Sequence, residues 1–526
     1  MNVKILSADL FGVEAYPVEV EVDVGPGLPG YHLVGLAATA VSEGRVRIRA
    51  ALRNTGFSLP ARKITVNLAP AEIRKDTTAF DVPIALAVLA GLDLLPRDCL
   101  KGVMAVGELG LDGRVRPVRG ALSVALTARR CGAKLLLVPE ANGPEAALVE
   151  DLEVRTLPSL ADAVAFLRGE ATLAPAVQAA RRRPSRPSPD LSDVRGQHGA
   201  KRALELAAAG GHNLLMVGPP GSGKSMLARR LATILPSLSK EEALDCTQIY
   251  SVAGLLDGSG LVQTRPFRAP HHTVSTAGLV GGGPQPRPGE LSLAHNGVLF
   301  LDEILEFRRQ TLEALRQPLE DKTITVTRAK ASVRFPARIT LVAAMNPCPC
   351  GYLGDPTRAC VCSAGQVARY RARLSGPLLD RFDIQVRVPR LTFDELSQAP
   401  SSETSLQVRE RVEAARRAQA DRFADMGGLE VNADMAAADL GRFVGLDDAG
   451  RKLLARSVEQ MGLSARAVHR MLKVARTAAD LDGSAEVCAH HVAEAVSFRS
   501  LDWDAGFDGG REAKESIRPV WRTRTG

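Results

Sequence analysis

Residues 213–235, NLLMVGPPGSGKSMLARRLATIL, decide the fold. The run NLLMV is apolar throughout, as a strand buried on both faces must be, and MLARRLATIL has helical spacing. Between them GPPGSGKS satisfies the full G-x-x-x-x-G-K-[ST] pattern in the strand-loop-helix setting that gives the pattern its meaning. Glycines 218, 221 and 223 let the backbone fold its N–H groups around phosphate oxygens, Lys224 neutralises β/γ charge, and the Ser225 hydroxyl can ligate Mg²⁺. The whole loop, Gly218, Pro219, Pro220, Gly221, Ser222, Gly223, Lys224 and Ser225, is therefore the expected cradle for ATP, and the fold class is α/β with a parallel sheet.

Downstream, VLFLD (298–302) and ITLVAAMN (339–346) are further short apolar runs of the same parallel-sheet kind. Asp302 leaves the first of them and is placed to hold the Mg²⁺ water shell, while Glu303 is placed to polarise the attacking water. That pair implies hydrolysis rather than mere binding. Asn346 ends the next strand, where its amide can orient the same water beside the γ-phosphate.

The chain divides around this core. Residues 171–189, ATLAPAVQAARRRPSRPSP, lose hydrophobic periodicity and carry four prolines, which reads as a linker. Before it, residues 1–170 form a mixed domain: VEVEVDVG and KITVNLAP alternate like strands, and the stretch from AALVE through LADAVAFLRG has helical spacing. The ATPase core spans 190–392. From 393 to 503 strand signals vanish and LQVRERVEAARRAQADRF and DAGRKLLARSVEQM are helical, so an all-α lid follows; residues 504–526 read as a loose tail.

Composition sets wide bounds. With 67 basic and 59 acidic residues in 526, 45% hydrophobic and 24% charged, the chain is ordinary globular protein of about three domains, and its net charge of +8 permits an anionic partner without demanding one. No segment approaches a membrane span and the first residues carry Asp9 and Glu14 where a signal peptide needs an apolar core, so a cytoplasmic protein with no membrane partner is expected.

Three features lie off the core motif. Residues 265–290, RPFRAPHHTVSTAGLVGGGPQPRPGE, combine basic residues, Arg268 among them, with a glycine triplet and the adjacent His271 and His272, whose spacing does not put two ligands on one helix face. TITVT, RAK and ASVRF read as a hairpin with Arg328 and Lys330 at its tip. Four of the eight cysteines, Cys348, Cys350, Cys360 and Cys362, crowd into NPCPCGYLGDPTRACVCS, where four thiolates can form a tetrahedral structural Zn²⁺ site; reduced or redox-active thiols are the alternative.

The order of phosphate loop, DE, strand-ending Asn, LLDRFD (378–383) and SARAVHRMLKVART (464–477) resembles an AAA+ ATPase of the magnesium-chelatase-like clade over roughly residues 190–500. The resemblance implies that Arg381 is an arginine finger reaching a neighbour's γ-phosphate, that sensor 2 is Arg466 or, one turn on, Arg470, and that DLSDVRGQ (190–197) is the adenine-side entry. It also implies that the 265–290 insertion and the hairpin project toward the pore of a ring, where Arg268, Arg328 and Lys330 would track a nucleic-acid backbone through phosphate contacts.

Residues 106–142, VGELGLDGRVRPVRGALSVALTARRCGAKLLLVPEAN, resemble the α+β catalytic domain of Lon-type proteases, which use a Ser-Lys dyad. The serine place falls at Pro83 and the lysine place near Leu122, so the dyad is absent and peptide hydrolysis has no chemistry to run on; a shifted alignment would bring in Ser123 or Lys134. A dead Lon-like domain, an AAA+ module with four cysteines and a helical lid together resemble the ComM/YifB family. That resemblance implies a homohexameric ATP-driven DNA motor that acts on single-stranded and branched DNA in natural transformation. A magnesium-chelatase motor subunit, a Lon-like protease and a protein-remodelling ATPase are the rivals.

Overall fold

The structure, a computed structural model, describes residues 2–60, 62–179, 189–256, 258, 260–283, 286–328, 331–393, 395 and 403–499. Its N-terminal part is built on β1 (Asn2–Phe11), β2 (Glu14–Gly25), β3 (Gly30–Val34), β4 (Lys63–Ala69) and β5 (Val103–Ala105). A two-strand ribbon, β6 (Glu108–Leu109) and β7 (Val115–Arg116), precedes β8 (Leu135–Pro139) and β9 (Glu153–Leu157). The main sheet runs β3-β4-β2-β1-β5-β8-β9. Its β1/β2 and β2/β4 pairs are antiparallel, and β3/β4, β1/β5, β5/β8 and β8/β9 are parallel. Valines 18, 20, 22 and 24 alternate inward along β2 against the helix Asp81–Gly91, every residue of which is buried.

The core that follows is one parallel sheet of β10 (Leu214–Val217), β11 (Phe267–Arg268), β12 (Gly297–Leu301), β15 (Ile339–Met345) and β16 (Ile384–Arg387), in the order β11-β12-β15-β10-β16. Both faces are covered, which explains the unbroken apolar runs: Leu214 and Met216 join one hydrophobic cluster with the lid, whereas Leu215 and Val217 join a second on the opposite face. The hairpin β13 (Thr323–Arg328)/β14 (Ala331–Pro336) pairs in register from Thr323↔Pro336 to Arg328↔Ala331, with Ile324 buried and the threonines 323, 325 and 327 exposed. The lid comprises the helices Ser405–Phe423, Ala437–Phe443, Asp448–Met461, Ala465–Leu481 and Ala489–Ser497.

The two parts interlock through the tight β1–β2 turn. Val13 packs against the core's second hydrophobic cluster, and its carbonyl accepts hydrogen bonds from Ser123 Oγ (2.6 Å) on one side and Gln248 Nε2 (2.9 Å) of the core on the other. Ser251 donates to the buried Glu145, and the Gly120 N–H donates to the Ser251 carbonyl at 3.2 Å.

Two local expectations are corrected. The stretch from AALVE through LADAVAFLRG is not continuous helix: β9 interrupts it, because Val154 and Thr156 alternate onto the open edge of β8 before the helix Leu160–Leu167 begins. The first half of the presumed linker is also structured. Leu173 is buried, the Thr156 N–H donates to the Ala174 carbonyl (3.1 Å) and the Ala176 N–H to the Val154 carbonyl (3.0 Å), so residues 171–179 run along the free edge of β9. An unpaired strand edge needs such partners, and Pro175 is tolerated there because it need only accept. Residues 180–188 and the tail 504–526 lie outside the described residues.

Candidate nucleotide site

β10 delivers the glycine loop at its C-terminal end. Gly218 must lack a side chain, since a Cβ would stand 2.1 Å from the Val388 carbonyl oxygen, and Gly221 (φ +77°) and Gly223 (φ +91°) occupy the left-handed region. The loop, with Asp302, Glu303, Met345 and Asn346, lines a cavity of about 350 Å³. Lys224 opens the helix Lys224–Ile234, and its Nζ donates to the Gly218 (2.7 Å) and Pro219 (2.9 Å) carbonyls and to Asn346 Oδ1 (3.3 Å). Burial lowers the Lys224 pKa to about 8 despite the opposing charges of Asp302 and Glu303. A phosphate arriving beside it would restore the charge.

Across the cavity Ser225 Oγ donates to Asp302 Oδ2 at 2.6 Å, so the hydroxyl and carboxylate stand where a Mg²⁺ ion and its waters would bridge them. Glu303 is exposed and adopts φ +49°, ψ +49° at the strand exit, a conformation uncommon outside glycine. Asp302, Asn346 and the glycine loop all leave the C-terminal edge of the parallel sheet, where open α/β sheets bind ligands.

Arg381 lies at the other edge. It lies three residues ahead of the start of β16 at Ile384, and its carbonyl accepts from the Nδ2 of Asn213 (3.0 Å), the residue before β10; Asn213 Oδ1 accepts the Leu341 N–H at 2.8 Å. Since β10 and β16 run parallel, from Leu214↔Ile384 to Val217↔Arg387, Arg381 is a strand length, roughly 13 Å, away from the end that bears the glycine loop. Its guanidinium, 12% exposed, pairs with Glu320.

Sequence reading missed the residues that fix this corner. Asp383 accepts from Arg470 Nη1 at 2.6 Å and lies 3.4 Å from His212 Nδ1, and its carboxylate also accepts the Asn213 N–H. Burial opposes its ionisation, but the His212 hydrogen bond and the charges of Arg470, His212 and Lys473 outweigh that and hold its pKa well below the usual carboxylate range. Of the two sensor-2 alternatives, Arg470 is thus committed to Asp383, whereas Arg466, one turn earlier on the same helix, is exposed. Neither lines the chain's own nucleotide cavity. The trailing Asp of LLDRFD was the available signal.

Gln197, the last residue of DLSDVRGQ, donates from Nε2 to the Pro389 carbonyl (2.7 Å) and the Ser222 carbonyl (3.4 Å), tying the segment after β16 to the glycine loop.

Of the residues proposed to touch DNA, only Arg268 has its side chain among the described residues. Arg268 sits in β11 and is held by Glu290 through Nε (2.7 Å) and Nη2 (2.8 Å), so a contact with DNA would require that ion pair to open. Arg328 ends β13 at the hairpin tip; its side chain and the whole of Lys330 lie outside the described residues.

The four cysteines do converge. Cys348 Sγ is 3.4 Å from Cys350 Sγ and 3.6 Å from Cys360 Sγ, Cys350 and Cys360 are 3.6 Å apart, and Cys362 Sγ accepts the Cys350 N–H at 3.4 Å. Such sulfur spacings suit a tetrahedral ion with metal–sulfur bonds of about 2.3 Å. In a second grouping, Cys488, His490 and His491, the ring of His491 is already engaged. His491 Nδ1 accepts the Cys488 N–H (3.0 Å), which leaves the proton on Nε2, 3.3 Å from Asp482.

The positions that the Lon resemblance assigns to the dyad lie in the N-terminal domain's core. Pro83 and Leu122 are buried, and at the head of the helix Asp81–Gly91 the carboxylate of Asp81 is clasped by Arg47 Nε (2.6 Å) and Nη2 (3.1 Å). Ser123 is committed to the Val13 carbonyl, and Lys134 is exposed beyond the far end of Ser123's helix.

Comparison with known proteins places this arrangement. Three family models match, described as magnesium chelatase, subunit ChlI (residues 190–396), subunit ChlI of Mg-chelatase (20–142) and magnesium chelatase, subunit ChlI C-terminal (402–499). The chain is 44% identical over 503 residues to competence protein ComM of Haemophilus influenzae, covering 94% of this chain and 97% of that one. It is also 44% identical over 503 residues to the protein YifB of Escherichia coli, covering 93% and 96%. A shorter similarity, 30% over 142 residues, relates 26% of the chain to 26% of Lon protease 2 of Bacillus subtilis. Among the described residues no helix is long and apolar enough to cross a membrane.

Proposed function

As the chain belongs to the ComM/YifB family of magnesium-chelatase-like proteins, we propose that it is a cytoplasmic AAA+ ATPase, active as a homohexameric ring. In this reading it drives helicase or branch-migration steps on single-stranded and branched DNA and so promotes integration of incoming strands during natural transformation. The observation that supports the ring is the split between sheet edges: Lys224, Asp302, Glu303 and Asn346 surround one cavity, while Arg381 is anchored at the opposite edge, from which its target would be a neighbour's nucleotide. DNA as the substrate rests on the 44% identity to a protein named for competence.

ATP would lie along the glycine loop with Lys224 on its β/γ-phosphates, and Ser225 and Asp302 would hold Mg²⁺, which supplies charge neutralisation at the transferring phosphoryl group. Glu303 accepts a proton from the attacking water while Asn346 orients it. Arg381 of the next subunit leaves Glu320 to meet the developing charge, and Arg466 serves as sensor 2. Cys348, Cys350, Cys360 and Cys362 would hold a structural Zn²⁺. The N-terminal domain is a Lon-like fold without proteolytic function.

The test is ATP hydrolysis with and without single-stranded DNA over a salt series, beside an Arg328→Ala, Lys330→Ala variant. Stimulation that falls with salt and vanishes in the variant is expected. Hydrolysis indifferent to DNA would move the assignment to a protein-remodelling ATPase. The family-model descriptions favour one further reading, a chelatase-type motor, for which Mg²⁺ insertion into a tetrapyrrole is the discriminating assay.

A further inference from the structure

The four-cysteine loop does more than close on itself. Residues 348–351 form a turn, with the Gly351 N–H donating to the Cys348 carbonyl at 3.0 Å, and this turn lies directly on the glycine loop. A Cβ on Gly351 would stand 2.6 Å from Pro220 Cδ and 4.0 Å from the Asn346 side-chain carbon, so the backbone of Gly351 is seated against both the phosphate cradle and the amide that receives Lys224. Farther along, Arg390 Nη1 donates to Thr357 Oγ1 at 3.3 Å, and the preceding Pro389 carbonyl is the one gripped by Gln197, which also reaches Ser222. The loop therefore touches the nucleotide pocket at both ends of a closed path: Pro220 and Asn346 through Gly351, Ser222 through Arg390 and Gln197.

Between Cys350 and Cys360 no helix or strand holds this segment. Loop hydrogen bonds hold it instead, among them Arg371 Nε to the Pro347 carbonyl (3.2 Å) and Arg358 Nη1 to Tyr352 Oη (2.9 Å), and the gathering of four sulfurs that include Cys348 and Cys350 of the turn itself would add the tightest restraint on its shape.

We propose that the four-cysteine loop is a metal-dependent clamp on the nucleotide pocket, so that Zn²⁺ on Cys348, Cys350, Cys360 and Cys362 and ATP on the glycine loop each tighten the binding of the other. This rests on the nucleotide-site reading above. The coupling follows from shared contacts: an ion that fixes the turn pre-positions Pro220 and Asn346 for phosphate, and nucleotide that fixes the glycine loop supports the turn, with the two effects equal by linkage.

The full-length protein is first assayed for bound zinc by elemental analysis. Release of that zinc to a zinc-selective chromogenic chelator is then followed with and without a non-hydrolysable ATP analogue and Mg²⁺, and affinity for a fluorescent ADP analogue is measured before and after metal removal. One zinc per chain is expected, released at least severalfold more slowly with nucleotide, together with a severalfold weaker affinity for the ADP analogue in the stripped protein. Since Cys→Ser variants risk misfolding, Gly351→Ala and Arg390→Gln keep all four ligands: both should retain zinc yet lose the nucleotide effect on its release. Protein isolated without zinc, or zinc release and nucleotide affinity each indifferent to the other ligand, overturns the clamp. A zinc-loaded wild-type chain that binds no nucleotide at all fails the functional reading, and the clamp falls with it.

Discussion

Lys224 carries its charge at a cost. Its ammonium is buried among the Gly218 and Pro219 carbonyls and the Asn346 amide, and burial brings its pKa to about 8 before any phosphate is present. Bound triphosphate would raise that value, so binding takes up a proton wherever free Lys224 is neutral. The sign follows: affinity for ATP is level below about pH 8 and falls as pH rises above it, by up to about tenfold per unit until the bound-state pKa is reached. Calorimetric titrations between pH 7 and 9.5 in buffers of different ionisation enthalpy should show proton uptake that grows with pH and is absent in Lys224→Arg. Most of this pocket was legible in the sequence, because a glycine loop, an acidic strand exit and a strand-ending Asn are local patterns. Asn213, Gln197 and Gly351 were not, since their roles depend on which distant carbonyl or ring each one meets.

At the scale of elements, the lid is welded to the core where Arg381 emerges. Arg470 on the helix Ala465–Leu481 and His212 ahead of β10 converge on Asp383, and Thr477 of the same helix hydrogen-bonds His212 Nε2 at 2.8 Å. Asp383→Asn should cost up to about 3 kcal/mol in the urea unfolding of the lid, because Arg470 is left without its counter-charge. The pH course has a definite sign: the folded pKa is depressed, so this stability is present above the ordinary carboxylate pKa of about 3.9 and is lost only as pH falls through the lower folded value. The difference between wild type and variant should therefore persist at pH 5. Lid helices and two-faced core strands were readable from periodicity. The strand β9 and the strap at 171–179 escaped because an edge is recognised by its neighbours, and the pairing of Arg268 with Glu290 escaped because the two lie across a segment without regular periodicity.

For the whole molecule, the directions of the parallel strands separate the nucleotide cavity from Arg381. The cradle, Asp302, Glu303 and Asn346 leave one edge of the sheet, and Arg381 with Arg470 stands at the other. In the proposed reading a single subunit would then offer a pocket without a finger and a finger without a pocket. The central claim is that these halves meet between neighbours, and mixing two inactive variants, Lys224→Ala and Arg381→Ala, tests it most directly. Each alone should hydrolyse almost no ATP, while the mixture should recover turnover with a maximum near equal proportions, because an Arg381→Ala pocket then faces an intact Arg381. A mixture as inactive as its components, under conditions where the two variants co-assemble, would contradict the account.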